Sequence, residues 1–188
     1  MNNKCFQMNE IYHERQSKEL CALHALNNIF QDKSAFTQRE LDSLCYKLSP
    51  DAWLNPHKSV IGLGNYDVNV VTAALLDKQC DIIWFDRRKD PNTIRLDKII
   101  GFILNIPNEY KVGWLHLPFR RKHWIALKLI NGAYYNLDSK LKKPLRIGSE
   151  LEFLKFLRME LENQDKQLLL VVTKTVAETE EWKIDISF

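Results

Sequence analysis

The order of secondary structure along the chain predicts an α+β fold. Residues 19–79 contain apolar residues at helical spacing, separated by polar breaks, whereas the chain from residue 81 to 138 reads mostly as strands. Helices that come first and sequential strands that follow are typical of the α+β class, not of the alternating α/β class. A length of 188 residues fits one domain, or one domain with a small excursion.

The composition is that of a soluble globular protein, with 45% hydrophobic and 27% charged residues. A net charge of +3 gives no strong signal for nucleic acid or for an anionic membrane. The four cysteines are widely spread and form no Cys-x-x-Cys motif, which argues against a zinc ribbon or a thioredoxin-type site. Signal-peptide and membrane-span patterns are absent from the sequence, so we expect a cytoplasmic protein with free thiols.

The first helix is predicted at about residues 19–31 and carries the candidate nucleophile. From Leu20 onward its apolar residues leave hardly any polar face, which predicts a buried helix. Cys21 falls in the first turn, where unpaired backbone N–H groups and the helix dipole favour an anion. We therefore interpret Cys21 as a nucleophile held as a thiolate at the start of a central helix.

Two further helices are predicted to form a hairpin over about residues 37–77. Thr37 and Glu40 make a capping-box pattern, and apolar residues follow at helical spacing. Residues 51–66 contain prolines and glycines and read as a loop. The candidate caps of the next helix are Asn65 and Asp67. We expect this helical hairpin to stand off the core.

Strands dominate the second half of the chain. The predicted strands are 81–86, 101–106, 123–130, 133–138 and 168–173. Residues 96–100 read as a short helix, and residues 108–118 read as a loop. A longer helix is predicted at 150–161, with its core face formed by Leu151, Leu154, Leu157 and Leu161.

The Asn131-Gly132 pair is the most informative turn signal in the chain. It lies between two strand-like runs and is the favoured two-residue hairpin turn. With that turn, Ile125 faces Asp138, so His123 and Asp138 are diagonal neighbours on one face of the sheet. A carboxylate at that offset can orient an imidazole and stabilise its protonated form.

A cysteine at a helix start together with a His–Asp pair on distant strands indicates a thiol hydrolase. The chain order Cys21, His123, Asp138 is that of papain-like enzymes. Such an enzyme also needs oxyanion donors. We expect these to be the side-chain amide of Gln16 and the backbone N–H of Cys21.

Other interpretations of these residues stay open. A buried cysteine is often only a small hydrophobic residue. His24, one turn after Cys21, is a rival base or a metal ligand, although its apolar helix favours a core histidine. The basic runs 87–89 and 120–122 are typical of solvated faces, and they keep a binding function open.

Three segments resemble the Josephin family. Residues 13–28 run His-Glu-Arg-Gln-Ser-Lys-Glu-Leu-Cys-Ala-Leu-His-Ala-Leu-Asn-Asn and are similar to the start of the Josephin domain. Lys-His-Trp at 122–124 and Tyr-Asn-Leu-Asp-Ser at 135–139 are also similar. Runs at 64–70 and 134–140 resemble the short branch of the family more than the ataxin branch.

The resemblance implies a papain-like cysteine deubiquitinase at residues 11–175, with short extensions at 1–10 and 176–188. The nucleophile, base and third member would then be Cys21, His123 and Asp138, and Gln16 would supply the oxyanion amide. The family pattern places ubiquitin contacts at Phe36, Val68 and Asn69, and it makes the predicted hairpin an arm over the ubiquitin groove.

The resemblance further implies a monomer that acts on ubiquitin and ubiquitinated proteins without a metal or cofactor. The alternative function is a ubiquitin-binding module with little or no turnover, in which the triad is misaligned or autoinhibited. A third function, an adaptor for nucleic acid or membranes, rests only on the two basic runs.

Overall fold

The computed structural model describes residues 10–17, 19–50, 66–108, 111–112, 115–116 and 121–184. Within these residues the chain forms five α-helices and eight strands. In order they are α1 (Cys21–Phe30), α2 (Gln38–Leu48), α3 (Val68–Leu76), β1 (Cys80–Phe85), β2 (Gly101–Asn108), β3 (Lys111–Val112), β4 (Leu115–His116), β5 (Arg121–Ile130), β6 (Ala133–Asn136), β7 (Leu145–Gly148), α4 (Glu150–Glu162), β8 (Gln167–Thr173) and α5 (Lys174–Thr179). The predicted α+β class is confirmed.

Six strands form one antiparallel sheet in the order β1-β8-β2-β5-β6-β7, and β3 and β4 pair separately. Strand β2 lies in the middle and continues through Pro107, where we expected it to end. Its pairing with β8 stops at Asn105, so Pro107 lies where β2 has a neighbour on one side only. A proline is tolerated there because its missing N–H removes no bond between two inner strands.

Helices cover both faces of the sheet. On one face α1 packs with α2 and α3, and every α1 residue from Cys21 to Ile29 is buried. On the other face α4 packs over β6 and β7. Helix α1 comes very close to the sheet at Gly101, where an added Cβ would lie 3.0 Å from a side-chain carbon of Ile29. A glycine in β2 therefore lets the central helix sit directly on the sheet.

The helical hairpin forms as predicted but does not stand off the core. Thr37 and Glu40 make the capping box of α2, and Asp67 caps α3 by accepting from two backbone amides. Leu41 and Leu75 are fully buried in the same apolar cluster as α1, and α3 contacts β1. Helices α2 and α3 thus form one side of the hydrophobic core. Most of the loop that we predicted at 51–66 lies outside the described residues.

Several short elements were not predicted. Strands β3, β4 and β7 and helix α5 are two to six residues long, too short for a periodic pattern to stand out. The face of α4 was assigned correctly only in part, since Leu157 and Leu161 are buried as predicted and Leu154 packs against the same cluster. The core face of α4 is formed by Phe153, Leu157 and Leu161, whereas Leu151 is 62% exposed. The buried residues of α4 recur every four positions, starting at Phe153, and this pattern fits the helix better than the leucine pattern that we followed.

The C-terminal segment up to residue 184 folds onto the domain. Helix α5 follows β8 directly, and Lys183 forms an antiparallel bridge with Ile94. The amide of Arg95 donates to the carbonyl of Trp182 at 2.8 Å, and that of Ile184 donates to Thr93 at the same distance. Residues 176–184, which we expected to form an extension, are therefore packed against the chain before β2.

Candidate active site

The hairpin between β5 and β6 has the predicted register. Asn131 and Gly132 have φ values of 49° and 78°, as a two-residue hairpin turn of this class requires. Ile130 pairs with Ala133, and the amide of Leu137 donates to the carbonyl of Ala126 at 2.8 Å, one step beyond the last residue of β6. The register therefore continues to the residue that precedes Asp138.

His123 and Asp138 meet at the end of this hairpin. The Nε2–H of His123 donates to Oδ1 of Asp138 at 2.6 Å, and the amide of Lys140 donates to the same oxygen at 2.9 Å. The imidazole is 1% exposed and the carboxylate 15%. A buried ring held in this way has a fixed orientation, and Nδ1 remains for another partner.

The thiol of Cys21 is the second group that acts on the ring, and its interaction with the His123 side chain raises the pKa of His123. Cys21 is the first residue of α1 and is buried. The residue before it, Leu20, has no side-chain oxygen with which to cap the helix, so the amides of the first turn remain available to an anion. Cys21, His123 and Asp138 thus form one line, in which the ring interacts with both the thiol and the carboxylate.

The surroundings of the ring favour an imidazolium–carboxylate pair. Burial alone lowers the pKa of His123, but hydrogen bonds to Asp138 and Cys21 and their negative charges outweigh it and raise that pKa. Burial raises the pKa of Asp138, but the bonds from His123 and from the Lys140 amide outweigh it and lower that pKa. Charged forms of both side chains are therefore stabilised in the fold.

Replacing Asp138 with asparagine is expected to lower the pKa of His123, because the variant removes a negative charge and a strong acceptor from Nε2. Because the pKa of His123 is raised in the folded protein, protonation of the ring stabilises the fold at pH values below the unfolded pKa of about 6.5. This stabilisation is lost as the pH rises through the pKa of the folded protein. The ring resonances of His123 in an NMR titration should move to a lower midpoint in Asp138→Asn. Asp97→Asn, on an exposed turn, is the control, and an unchanged midpoint in Asp138→Asn would contradict the pairing.

Gln16 lies against the loop that carries Asp138. Its backbone N–H donates to the carbonyl of Ser139 at 2.7 Å, and Nε2 of His13 contacts the carbonyl oxygen of Asp138 at 3.0 Å. Gln16 is half-buried. The segment before α1 and the end of the hairpin are therefore joined beside Asp138, and the role of Gln16 as an oxyanion donor stays a prediction.

The three predicted ubiquitin-contact residues are in different environments. Phe36 is 4% exposed, packs edge-on against Phe30 and has the ammonium of Lys78 over its ring at 5.5 Å. It is a core residue with little surface to offer a partner. Val68 is half-buried and Asn69 is exposed, both at the start of α3. The geometry supports Val68 and Asn69 as surface contacts better than it supports Phe36.

His24 is held by partners other than the thiol. Its Nε2 accepts from the amide of Ser17 at 3.2 Å, and its Nδ1 lies 3.0 Å from Oε1 of Glu14. Both ring nitrogens are thus engaged away from Cys21, which argues against His24 as the base. Glu14 and the polar residues of α1 were missed as contributors to the site. Their signal was in the sequence, since His24, Asn27, Asn28 and Gln31 recur at helical spacing within an apolar run.

The described part of the chain shows neither a group of metal ligands nor a membrane-spanning helix. Among those residues, no three His, Cys, Asp or Glu side chains are grouped as metal ligands. None of the described helices has the length and hydrophobicity to span a bilayer.

Comparison with known proteins places these residues in a family. The Josephin family profile matches residues 16–172, which include Gln16, Cys21, His123 and Asp138. The chain is 53% identical over 163 residues to a Josephin-like protein of Drosophila melanogaster, covering 86% of this chain and 73% of that protein. It is 48% identical over 172 residues to Josephin-2 of Homo sapiens, covering 92% and 91%.

Similarity to the ataxin branch is lower. The chain is 26% identical to Ataxin-3 of Homo sapiens over 156 residues, which cover 73% of this chain and 39% of that protein. The helices and the six-stranded antiparallel sheet described above are consistent with the papain-like fold predicted for this family. The chain belongs to the Josephin family, in its short Josephin-like branch and not in the ataxin branch.

Proposed function

We propose that this protein is a cysteine-dependent deubiquitinase that hydrolyses the peptide or isopeptide bond after the C-terminal glycine of ubiquitin. The observation that carries the proposal is the buried line of Cys21, His123 and Asp138, in which one imidazole joins a helix-start thiol to a carboxylate. Membership of the Josephin family supports ubiquitin as the substrate. Neither a metal nor a cofactor takes part in the proposed reaction.

The reaction would begin with attack by the Cys21 thiolate on the carbonyl carbon of the glycine. The carbonyl oxygen becomes an oxyanion, which the Gln16 side chain and the Cys21 amide would stabilise. His123, protonated and oriented by Asp138, would give its proton to the leaving amine as the carbon–nitrogen bond breaks. The neutral ring would then take a proton from water, whose oxygen attacks the thioester and releases the ubiquitin carboxylate and the thiol.

Substrate contacts would come from the start of α3. Val68 and Asn69 directly follow Asp67, the residue that caps α3. The backbone just before Asp67 is hydrogen-bonded to β5, the strand that carries His123. The indole N–H of Trp124, the neighbour of His123, donates to the carbonyl of Tyr66 at 3.1 Å. Ubiquitin bound at α3 would therefore lie on a helix whose first residues are fixed relative to the catalytic ring.

A ubiquitin-binding module with little turnover is the second candidate. The observation that favours it is burial, since Cys21 is 5% exposed and His123 is 1% exposed. A substrate carbonyl needs access to the sulfur, and a closed site of this kind turns over slowly until it opens. In that case ubiquitin would bind without cleavage.

A ubiquitin probe with a C-terminal electrophile distinguishes the two functions. The wild-type protein is expected to form a covalent adduct and to cleave a ubiquitin–amide substrate, because both reactions need an activated thiolate. Cys21→Ala should lose both while still binding ubiquitin. Ubiquitin binding by the wild type without adduct or cleavage would overturn the enzyme proposal, and salt-sensitive RNA binding without ubiquitin affinity would favour an adaptor.

We also propose a monomer in the cytoplasm. The described cysteines Cys21, Cys45 and Cys80 are free thiols, as a reducing compartment requires. The basic run at residues 87–89 is partly neutralised, because Arg88 forms a bidentate pair with Asp86. That pairing agrees with a solvated face more than with a nucleic-acid site.

A further inference from the structure

A polar stripe runs along the buried helix α1 and faces the segment that precedes it. His24, Asn27 and Asn28 are 3%, 1% and 0% exposed, and Gln31 follows at the C-cap. Their spacing of three to four residues places them on one side of the helix. We call residues 12–17, which include Gln16, the lead-in segment. Each of the four side chains contacts this segment, and Asn27 and Asn28 also bond to the turn after α1 and to Leu137.

Glu14 is the centre of these contacts. One carboxylate oxygen, Oε2, accepts from Asn27 at 2.9 Å and from the hydroxyl of Tyr12 at 3.0 Å. The other, Oε1, lies 3.0 Å from Nδ1 of His24, where the ring N–H is poorly aligned and the contact is mainly electrostatic. Burial raises the pKa of Glu14, but the bonds from His24, Asn27 and Tyr12 outweigh it and lower that pKa. Glu14 is therefore an anion held inside the fold by the helix.

The backbone of the lead-in segment is fixed by the same stripe. The amide of Glu14 donates to Oδ1 of Asn28 at 2.7 Å, and the amide of Ser17 donates to Nε2 of His24 at 3.2 Å. Gln31 accepts from the amide of Tyr12 at 3.1 Å and donates to its carbonyl at 3.0 Å. Both flanks of the segment are thus attached to side chains of α1.

Gln16 lies between these two attachments. Its own amide bonds to Ser139, and Asn28 donates to the carbonyl of Leu137 at 2.9 Å. The helix that starts with Cys21 therefore holds, through one polar stripe, the segment with Gln16 and the loop with Asp138. An oxyanion donor is effective only when it is fixed in advance at the position of the developing charge.

We propose that Glu14 and His24 are positioning residues, which hold the lead-in segment so that Gln16 is preorganised as an oxyanion donor. This proposal rests on the proposed hydrolase function and adds to it a role for the contact between Glu14 and His24. Neither residue needs to touch the substrate. Replacing either residue should cost no more of the hydrolysis rate than replacing Gln16 does, because both act through the backbone that carries Gln16.

The test compares a reaction that forms an oxyanion with one that does not. Hydrolysis of a ubiquitin–amide substrate passes through a tetrahedral oxyanion. Alkylation of Cys21 by iodoacetamide forms a sulfur–carbon bond and releases iodide, and no oxyanion forms. Glu14→Gln and His24→Gln are the variants, each alone and combined with Gln16→Ala. Glu10→Gln is the matched control, because Glu10 is exposed, lies just before the segment and has the same side chain.

Glu14→Gln and His24→Gln are expected to lower kcat/KM for hydrolysis by about tenfold or more, up to the ~10²–10³ of a lost oxyanion donor. Alkylation of the Cys21 peptide, followed by mass spectrometry, should stay within about twofold because the thiolate and His123 are unchanged. In the Gln16→Ala background neither variant should lower hydrolysis further. Glu10→Gln should match the wild type in both reactions.

Amide hydrogen exchange of Gln16 and Ser17 provides a readout that needs no activity. It should become faster in Glu14→Gln and His24→Gln and stay unchanged in Glu10→Gln. The positioning role would be overturned if a variant lowered the rates of hydrolysis and of alkylation by the same factor. It would also be overturned if the loss of hydrolysis in either variant added to the loss caused by Gln16→Ala. If the wild type does not cleave ubiquitin amides, the proposed function fails, and unchanged exchange in both variants would by itself overturn the present proposal.

Discussion

Replacing His123 with alanine is expected to lower kcat/KM for ubiquitin–amide hydrolysis by about 10²–10⁴, the usual contribution of a general acid–base residue, and by more if the thiolate depends on the ring. The His123 side chain interacts with both Cys21 and Asp138, so its loss removes the link between them. Alkylation of Cys21 by iodoacetamide should slow as well, because the imidazolium that stabilises the thiolate is gone. Both rates are measured at constant pH.

Asp138→Asn is the comparison for this variant. An amide oxygen can still accept from Nε2, so the ring keeps its orientation and we expect much of the activity to remain. Thermal unfolding of both variants separates catalysis from stability, since the ring is buried and its removal leaves a cavity. His123→Ala with activity near that of the wild type would show that the base lies elsewhere.

Replacing Phe153 with alanine is expected to lower the free energy of unfolding by about 3–5 kcal/mol, the usual cost of a large-to-small aromatic substitution in a core. Phe153 is fully buried and stacks on Tyr134 of β6 with ring centroids 3.9 Å apart. It also meets Phe102 of β2 edge-on at 4.8 Å. The variant would remove the centre of an aromatic cluster that attaches α4 to two strands of the sheet.

Urea unfolding measures this effect, and Met159→Ala provides the matched control. Met159 lies on the same helix but is 69% exposed, so its truncation should change the free energy of unfolding by no more than about 0.5 kcal/mol. Equal losses in the two variants would contradict the aromatic cluster as the main attachment of α4 to the sheet, because alanine is the better helix former at both positions.

Local chemistry explains why much of the fold could be predicted. The Asn131-Gly132 turn demands positive φ at two adjacent residues, so its type and the register of β5 and β6 follow from two residues. The capping box of Thr37 and Glu40 marks a helix start in the same way. Such signals act within a few residues and do not depend on the rest of the chain.

Packing partners distant in the chain explain what was missed. Whether Leu151 or Phe153 faces the core depends on where β6 lies beneath α4, which no local pattern encodes. The polar stripe of α1 follows helical spacing in the sequence, but the partners that allow its burial lie elsewhere in the chain. Asn27 and Asn28 are buried because the lead-in segment, the turn after α1 and the end of the hairpin supply their hydrogen bonds. Without those partners, buried amides in an apolar helix would be unfavourable.

The separation of the nucleophile helix from its base in the chain has a consequence for the newly made protein. Roughly a hundred residues lie between Cys21 and His123, so at ordinary rates of synthesis the thiol is made about 5–20 s before its imidazole. Strand β8 is made later still and inserts between β1 and β2. During this interval Cys21 would lack the imidazole that the proposed mechanism requires. Reactivity would arise only when the sheet closes, which protects a growing chain from the chemistry of its own nucleophile.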